Sequence, residues 1–315
     1  MYTEKYMKKN ASGQALFSQN GQALLMVLLS VGVVLTIALS VVSRSITDVS
    51  TSTKGEESLR AFSAAEAGVE NTLNNSIESL PLVPSPTPVP VGSSGSTYTA
   101  SLTAFPQNPR SYLYPVELSA GDSATVWLSS HDTDNSLTCT GGNKCFQGQT
   151  IDVCWGKTGS GTQPAIALAL LYEDPAGGGV RKYAYIAYDS NGSRASQNRF
   201  ITNGISTNTG SGSCTIDGTP LANKVTVNLL TDLAIPNGSI NGKRLKSLTA
   251  LLLYNTTPTL FGVTNLPSDL PDQGRQVDSL GTSGTSTRKV QVYSLYPEIP
   301  SMFQSSLYSP PGIVK

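Results

Sequence analysis

The chain holds a single histidine, His131, so any Ser-His-Asp or Cys-His mechanism would have to use it. It stands in the polar stretch SSHDTDNS, a composition that predicts a turn. Asp132 and Asp134, two positions apart and followed by Asn135, could offer oxygens to a Ca²⁺ ion. The glycine and distal glutamate of an EF-hand loop are missing, which leaves these three as a weak metal candidate. The four cysteines, Cys139, Cys145, Cys154 and Cys214, compete between zinc and disulfides. No C-x-x-C spacing occurs and His131 is not placed to complete a zinc site, so disulfides are the expectation. Four cysteines allow three pairings. The favoured one joins Cys139 to Cys145, closing the TGGNK loop, and Cys154 to Cys214, tying a strand to a distant loop. G-x-x-x-x-G-K-[ST], H-E-x-x-H and G-x-S-x-G are all absent, and AGGGVRK is a turn with no following helix to aim amides at an anion. These residues predict no catalytic site and no cofactor.

The elements that carry them are legible in the texture of the chain. Charged residues form 13% of the 315, and 21 Lys and Arg balance 21 Asp and Glu, so the phosphate-neutralising signature of a nucleic-acid binder is missing. After residue 95, short strand-like runs recur: STYTASLTAF, SATVWLSS, QTIDVCWG, AIALALLY, KYAYIAY, KVTVNLL, LTALLLY, RQVDSLG and RKVQVYSLY. Turn clusters such as DSNGS, IPNGSING and GTSGTST separate them. About nine to eleven strands are expected, with the last two runs forming a hairpin. A single layer would leave one face bare, so the head is expected to be a sandwich or a strongly bent antiparallel sheet. Tyr in KYAYIAY alternates with small residues, as in a strand packed on one face. N-x-[ST] triplets at Asn191, Asn237 and Asn255 fall in turn-rich segments, where a glycosylating host could modify them.

Ahead of that head, no residue from Ala23 to Val42 is charged. As a helix rising 1.5 Å per residue this run is about 30 Å long, enough to cross a bilayer's hydrocarbon core. Lys5, Lys8 and Lys9 precede it with only Glu4 opposing, which predicts a cytoplasmic N-terminus and an outer head. Beyond the span, Leu59, Phe62, Val69, Leu73, Ile77 and Leu80 recur at helical spacing, a predicted apolar stripe. The intervening SITDVSTSTKGEES is rich in weak helix formers and is expected to loosen the helix. Pro81, Pro84, Pro86, Pro88 and Pro90 then end it and begin a semi-rigid spacer. The expected organisation is α+β: a leader over 1–21, a transmembrane helix over 22–43, an amphipathic extension over 44–80, a Pro/Gly/Ser linker over 81–97 and a β-rich head over 98–315.

NGQALLMVLLSVGVVLTIALSVVSRS followed by LRAFSAAEAGVENTLNN resembles the N-terminal segment of PilX-type minor pilins of type IV pili, over about residues 18–77. There a glycine just before a long apolar helix is followed some forty residues later by an Ala-Ala-Glu-Ala block, here Ala64 to Ala67. The resemblance implies cleavage by prepilin peptidase after Gly21, with Gln22 becoming an N-methylated terminus. It implies a helix that serves first as membrane anchor and then as a rod among other pilins, held by the pilus assembly machinery. Ser30 and Gly32 would let rods approach closely, and Phe62 and Glu66 would belong to the assembly helix. This chain departs from major pilins in carrying Met26 where they have Glu at the fifth mature position, and Gln22 where Phe or Met is commoner. A buried carboxylate is costly unless paired, so its loss points to a subunit with a special position, such as a tip or initiating component, or to a lineage with different packing. The other reading is a permanently anchored cell-surface binding module that never polymerises.

Overall fold

The computed structural model describes residues 20–76, 87–93, 95–132, 134–140 and 144–298. One helix, α1 (Asn20–Ser76), covers 57 residues. It runs unbroken through the stretch expected to loosen, where hydroxyls satisfy themselves on the helix's own carbonyls: Thr47 Oγ1 donates to Ser43 O and Thr53 Oγ1 to Val49 O, each at 3.0 Å. The chain divides into two units between Leu59 and Arg60.

The second unit contains sixteen strands among the described residues. In chain order they are β1 (Val89–Val91), β2 (Ser96–Phe105), β3 (Tyr112–Leu113), β4 (Ser123–Trp127), β5 (Ser130–His131), β6 (Leu137–Thr138), β7 (Thr150–Lys157), β8 (Ala165–Asp174) and β9 (Val180–Asp189). After the short helix α2 (Gly192–Asn198) come β10 (Ser206–Thr207), β11 (Cys214–Ile216) and β12 (Thr219–Asn228). After α3 (Asn237–Asn241) come β13 (Leu245–Leu253), β14 (Phe261–Thr264), β15 (Gly274–Ser283) and β16 (Ser286–Leu295). Each of the nine runs read from the sequence lies wholly or largely in one of the longer strands. The short strands were not anticipated, and β14 among them is an interior strand, lying between β7 and β3.

Every named strand pair is antiparallel. One sheet has the order β1-β2-β15-β16, a second β10-β12-β7-β14-β3 with β11 beside β12, a third β4-β13-β8-β9, and β5 pairs with β6. The β15–β16 hairpin turns through Gly284 and Thr285 with Ser283 opposite Ser286, the two-residue loop that Gly at φ +54 permits. Val89–Val91, inside the stretch read as linker, pairs with Tyr98–Ser96, and Pro90 is accommodated because β1 is an edge strand. Ile77, Leu80 and the first prolines lie outside the described residues.

The main core joins the second and third sheets. Ile151, Val153 and Trp155 of β7, Val225 and Val227 of β12, and Phe261 and Val263 of β14 share one apolar cluster with Val126, Ile166, Leu168, Leu170, Leu248 and Leu252. Full burial of such side chains contributes about 1.5–3 kcal/mol each. The Trp155 indole, fully buried, donates its N–H to Pro164 O at 2.8 Å. The cysteines pair as Cys139–Cys145 and Cys154–Cys214, the second tying β7 to β11.

The free edge of β4 is closed by side chains. Gln273 accepts the Trp127 N–H and donates to Trp127 O, and Glu298 accepts the Thr125 N–H at 2.9 Å. His131 belongs to this edge. It is not in a turn, as its polar neighbours suggested: it pairs with Leu137 in the β5–β6 ladder, stacks on Tyr296 at 3.9 Å and meets Trp127 edge-on at 4.5 Å. Two aromatic rings hold it where the sequence offered only polarity. Its Nδ1 is buried without a hydrogen-bond partner, and desolvation pushes its pKa down to about 4.

That depression sets a pH dependence. Above its ordinary value near 6.5 the imidazole is neutral in folded and unfolded chains alike; between about 6.5 and about 4 the unfolded chain takes up a proton that the folded one refuses. Stability therefore falls through that window as pH falls. Glu298, raised by burial, acts in the opposite sense, so the comparison must be between proteins. Denaturant unfolding at pH 7.0, 5.5 and 4.5 should show His131→Phe losing less stability on acidification than the parent, whereas equal losses would contradict the assignment.

Candidate assembly helix and its docking surface

Residues 22–56 of α1 are exposed, and their large apolar side chains from Leu24 to Val49 are each at least half exposed. An apolar surface of this extent is far beyond the few hundred Å² that a soluble monomer leaves bare. The helix is long and apolar enough to cross a membrane. Within it Met26 is 73% exposed, the Ser30 hydroxyl donates to Val27 O at 2.9 Å, and nothing lies within 4 Å of where a Cβ on Gly32 would stand. Ser30 thus hides its polar group on its own backbone and Gly32 leaves a shallow notch. Gly21 and Gln22 lie in the first turns of α1, near its start at Asn20.

In the second unit the same helix changes character. Ala61, Ala64, Ala65, Gly68 and Val69 are buried and Leu73 partly so, whereas Phe62 is 45% exposed; Leu59, the last residue of the first unit, is 71% exposed. The buried stripe is therefore rotated from the one expected from large residues. Its partner is the face of the first sheet formed by Tyr98, Leu102, Val277, Ser279 and Gly281. Val69, Leu102 and Val277, with Leu73, Val290 and Val292 around them, make a small separate apolar cluster.

What distinguishes this contact is its closeness. A Cβ on Gly281 would overlap the Ala61 carbonyl oxygen and the Ala65 nitrogen, and one on Gly68 would overlap Ser279 Oγ and the Tyr98 ring. Helix backbone lies directly on strand backbone at Gly281, which only residues with little or no side chain permit. The Ala-Ala-Glu-Ala block acquires a physical meaning from this: Ala64 and Ala65 face the sheet, and Glu66 is exposed. Across the contact, Asn71 Nδ2 donates to the Tyr98 hydroxyl at 2.5 Å. Phe62 and Glu66 both lie on the outward, exposed side of the helix.

The other sequence candidates do not join this surface. Asp132, Asp134 and Asn135 form the loop between β5 and β6: Asn135 N–H donates to Asp132 O, Asp134 Oδ1 accepts the Ser136 N–H at 2.9 Å, and Asn135 takes φ +62. Hydrogen bonds from Ser136 hold the Asp134 carboxyl below its ordinary value. Among the described residues no three His, Cys, Asp or Glu side chains gather as a metal site. Asn255 is a poor glycan acceptor, being buried with its amide donating to Leu118 O and Thr257 O, and the Asn191 side chain caps α2.

Two substitutions separate close approach from mere burial. Gly281→Val should force the helix from the sheet and cost about 1–3 kcal/mol, the range for overpacking a close contact. Ser279 Oγ is buried there without a partner, so Ser279→Ala should be neutral or stabilising. Thermal melts of both proteins check this; destabilisation by the alanine and tolerance of the valine would contradict the packing described. Comparison with protein-family models finds none that matches the chain, and comparison with curated proteins finds none either.

Proposed function

We propose that the chain is a type IV pilin-like structural subunit with the special position of a minor pilin rather than an enzyme. The observation that carries this reading is the division of labour along α1: residues 22–56 present an exposed apolar surface, while 61–73 are fixed to a sheet by alanines and glycines. An anchor that only holds a domain at a membrane has no need of so close a junction. A subunit drawn from the bilayer into a filament does, because the force that packs its rod among others must reach the head through that contact. Prepilin peptidase cuts after Gly21 on the cytoplasmic side, Gln22 becomes the mature terminus, and the span then holds the protein in the membrane with its head outside. Other pilins contact Met26, Ser30 and Gly32, with Phe62 and Glu66 further along the rod. Met26 brings no carboxylate to neutralise a neighbour's amine, which suits a tip or initiating subunit. The head, read as a sandwich of its second and third sheets, is displayed at the cell surface, where adhesion is its natural use.

Co-expression with a prepilin peptidase tests this. The chain should lose the mass of residues 1–21 and begin at Gln22, and Gly21→Val should remain uncut. An unprocessed parent chain would favour the permanently anchored binding module instead.

A further inference from the structure

An open pocket of about 480 Å³ lies where β3, β11 and β14 end together. Its size falls within the range of small-ligand sites, about 300–1,000 Å³. Three segments build it: the approach to β3 with Asn108 and Arg110, the tip of β11 with Thr215 and Asp217, and the residues after β14 with Asn265.

Each segment is held in place by something other than the pocket. Asp217 and Gly218 are the two-residue turn of the β11–β12 hairpin, both at positive φ (+48° and +79°) as a type I′ turn requires. The strand leading to that turn is tied to β7 by Cys154–Cys214, and Ile216 is buried against Gly262, where any Cβ would meet Ile216 Cδ1 at 2.7 Å. Arg110 is oriented by Asp269, its Nε donating to Oδ1 at 2.9 Å. Asn265 Nδ2 donates to Asp152 Oδ2 at 2.9 Å, and Asn108 Oδ1 accepts the Arg110 N–H at 3.0 Å. These bonds occupy one end of each amide and leave the other end, the Asn265 carbonyl oxygen and the Asn108 NH₂, for a ligand.

The chemistry of the lining narrows what that ligand is. Arg110 is the one cation in the lining, and it is paired with Asp269 and shares the pocket with Asp217, so carboxylates outnumber it and disfavour a phosphate or carboxylate ligand. No aromatic ring lines the pocket for a nucleobase to stack on, and polar surface predominates over apolar, which disfavours a lipid chain. A carboxylate, two amides, threonine hydroxyls and a guanidinium edge are planar or compact groups that match the paired donors and acceptors of vicinal hydroxyls. We infer that this pocket binds a neutral saccharide of one or two rings, with Asp217 and Asn265 accepting from ring hydroxyls and Arg110 and Asn108 donating to ring oxygens. The site lies wholly in the head and does not depend on whether the chain polymerises.

The full chain, held in a detergent without a sugar headgroup, can be screened by saturation-transfer NMR against neutral hexoses, N-acetylhexosamines and their disaccharides, with glycine and inorganic phosphate as further probes. At least one sugar should give transfer, and Asp217→Gly and Asn265→Ala should each weaken its binding about tenfold or more, with the melting temperature of Asp217→Gly close to the parent's because glycine suits the positive φ of that turn position. Silence from every sugar, equal binding by the variants, or a response to glycine or phosphate alone would overturn the assignment.

Discussion

The attachment of α1 to the head turns on one contact, the place where the backbone of α1 rests on the backbone of β15. Gly281 has no side chain to separate them, and Ala61, Ala64, Ala65 and Gly68 supply a helix face flat enough to descend. The apolar cluster beside this contact is small, built around Val69, Leu102 and Val277. Its atoms fit closely enough for dispersion to add to the area removed from water. Such a contact is sensitive to shape: a methyl group added in the wrong place displaces the helix, while a lost hydroxyl such as that of Ser279 costs little.

The first sheet fits this role by its connectivity. β1 and β2 follow the helix in the chain, and the β15–β16 hairpin returns from the far end to pair with β2 over nine residue pairs. The helix is thereby joined to both the beginning and the end of the head. The larger core between the second and third sheets holds the bulk of the fold, with buried aromatics and a disulfide that fixes β11. Edges are managed differently around the head: β4 is closed by Gln273, Glu298 and the His131–Tyr296 stack, whereas β1, β3, β10 and β11 are too short to invite pairing.

Much of this was legible beforehand where periodicity or composition was strong. The long strands announced themselves by alternation, the apolar helix by its lack of charge, and the cysteine pairing favoured from spacing coincides with the bonds in the structure. Where the reading failed, small or short elements were responsible. The docking face of α1 was sought in large residues, which made Leu59 and Phe62 seem inward; alanines and glycine carry no periodic hydrophobic signal, although AFSAAEAG spelled the stripe openly. β14 escaped because four residues with a glycine look like a turn, yet Gly262 is required where Tyr112 O and Ile216 crowd it. His131 was misplaced because neighbouring residues are polar while its ring partners, Trp127 and Tyr296, are distant in sequence. The saccharide pocket left no motif at all, since its walls come from three separated segments.

The most direct measurement of the central claim is amide hydrogen exchange along α1 in the full chain reconstituted in a bilayer. If the helix is fixed to the head by close backbone packing, amides 61–73 should exchange as slowly as those of β15 and open together with them, and those of 23–42 should be protected by the bilayer. Fast exchange across 61–73 while β15 stays protected would contradict the account, because the helix would then be a tether and not part of the head.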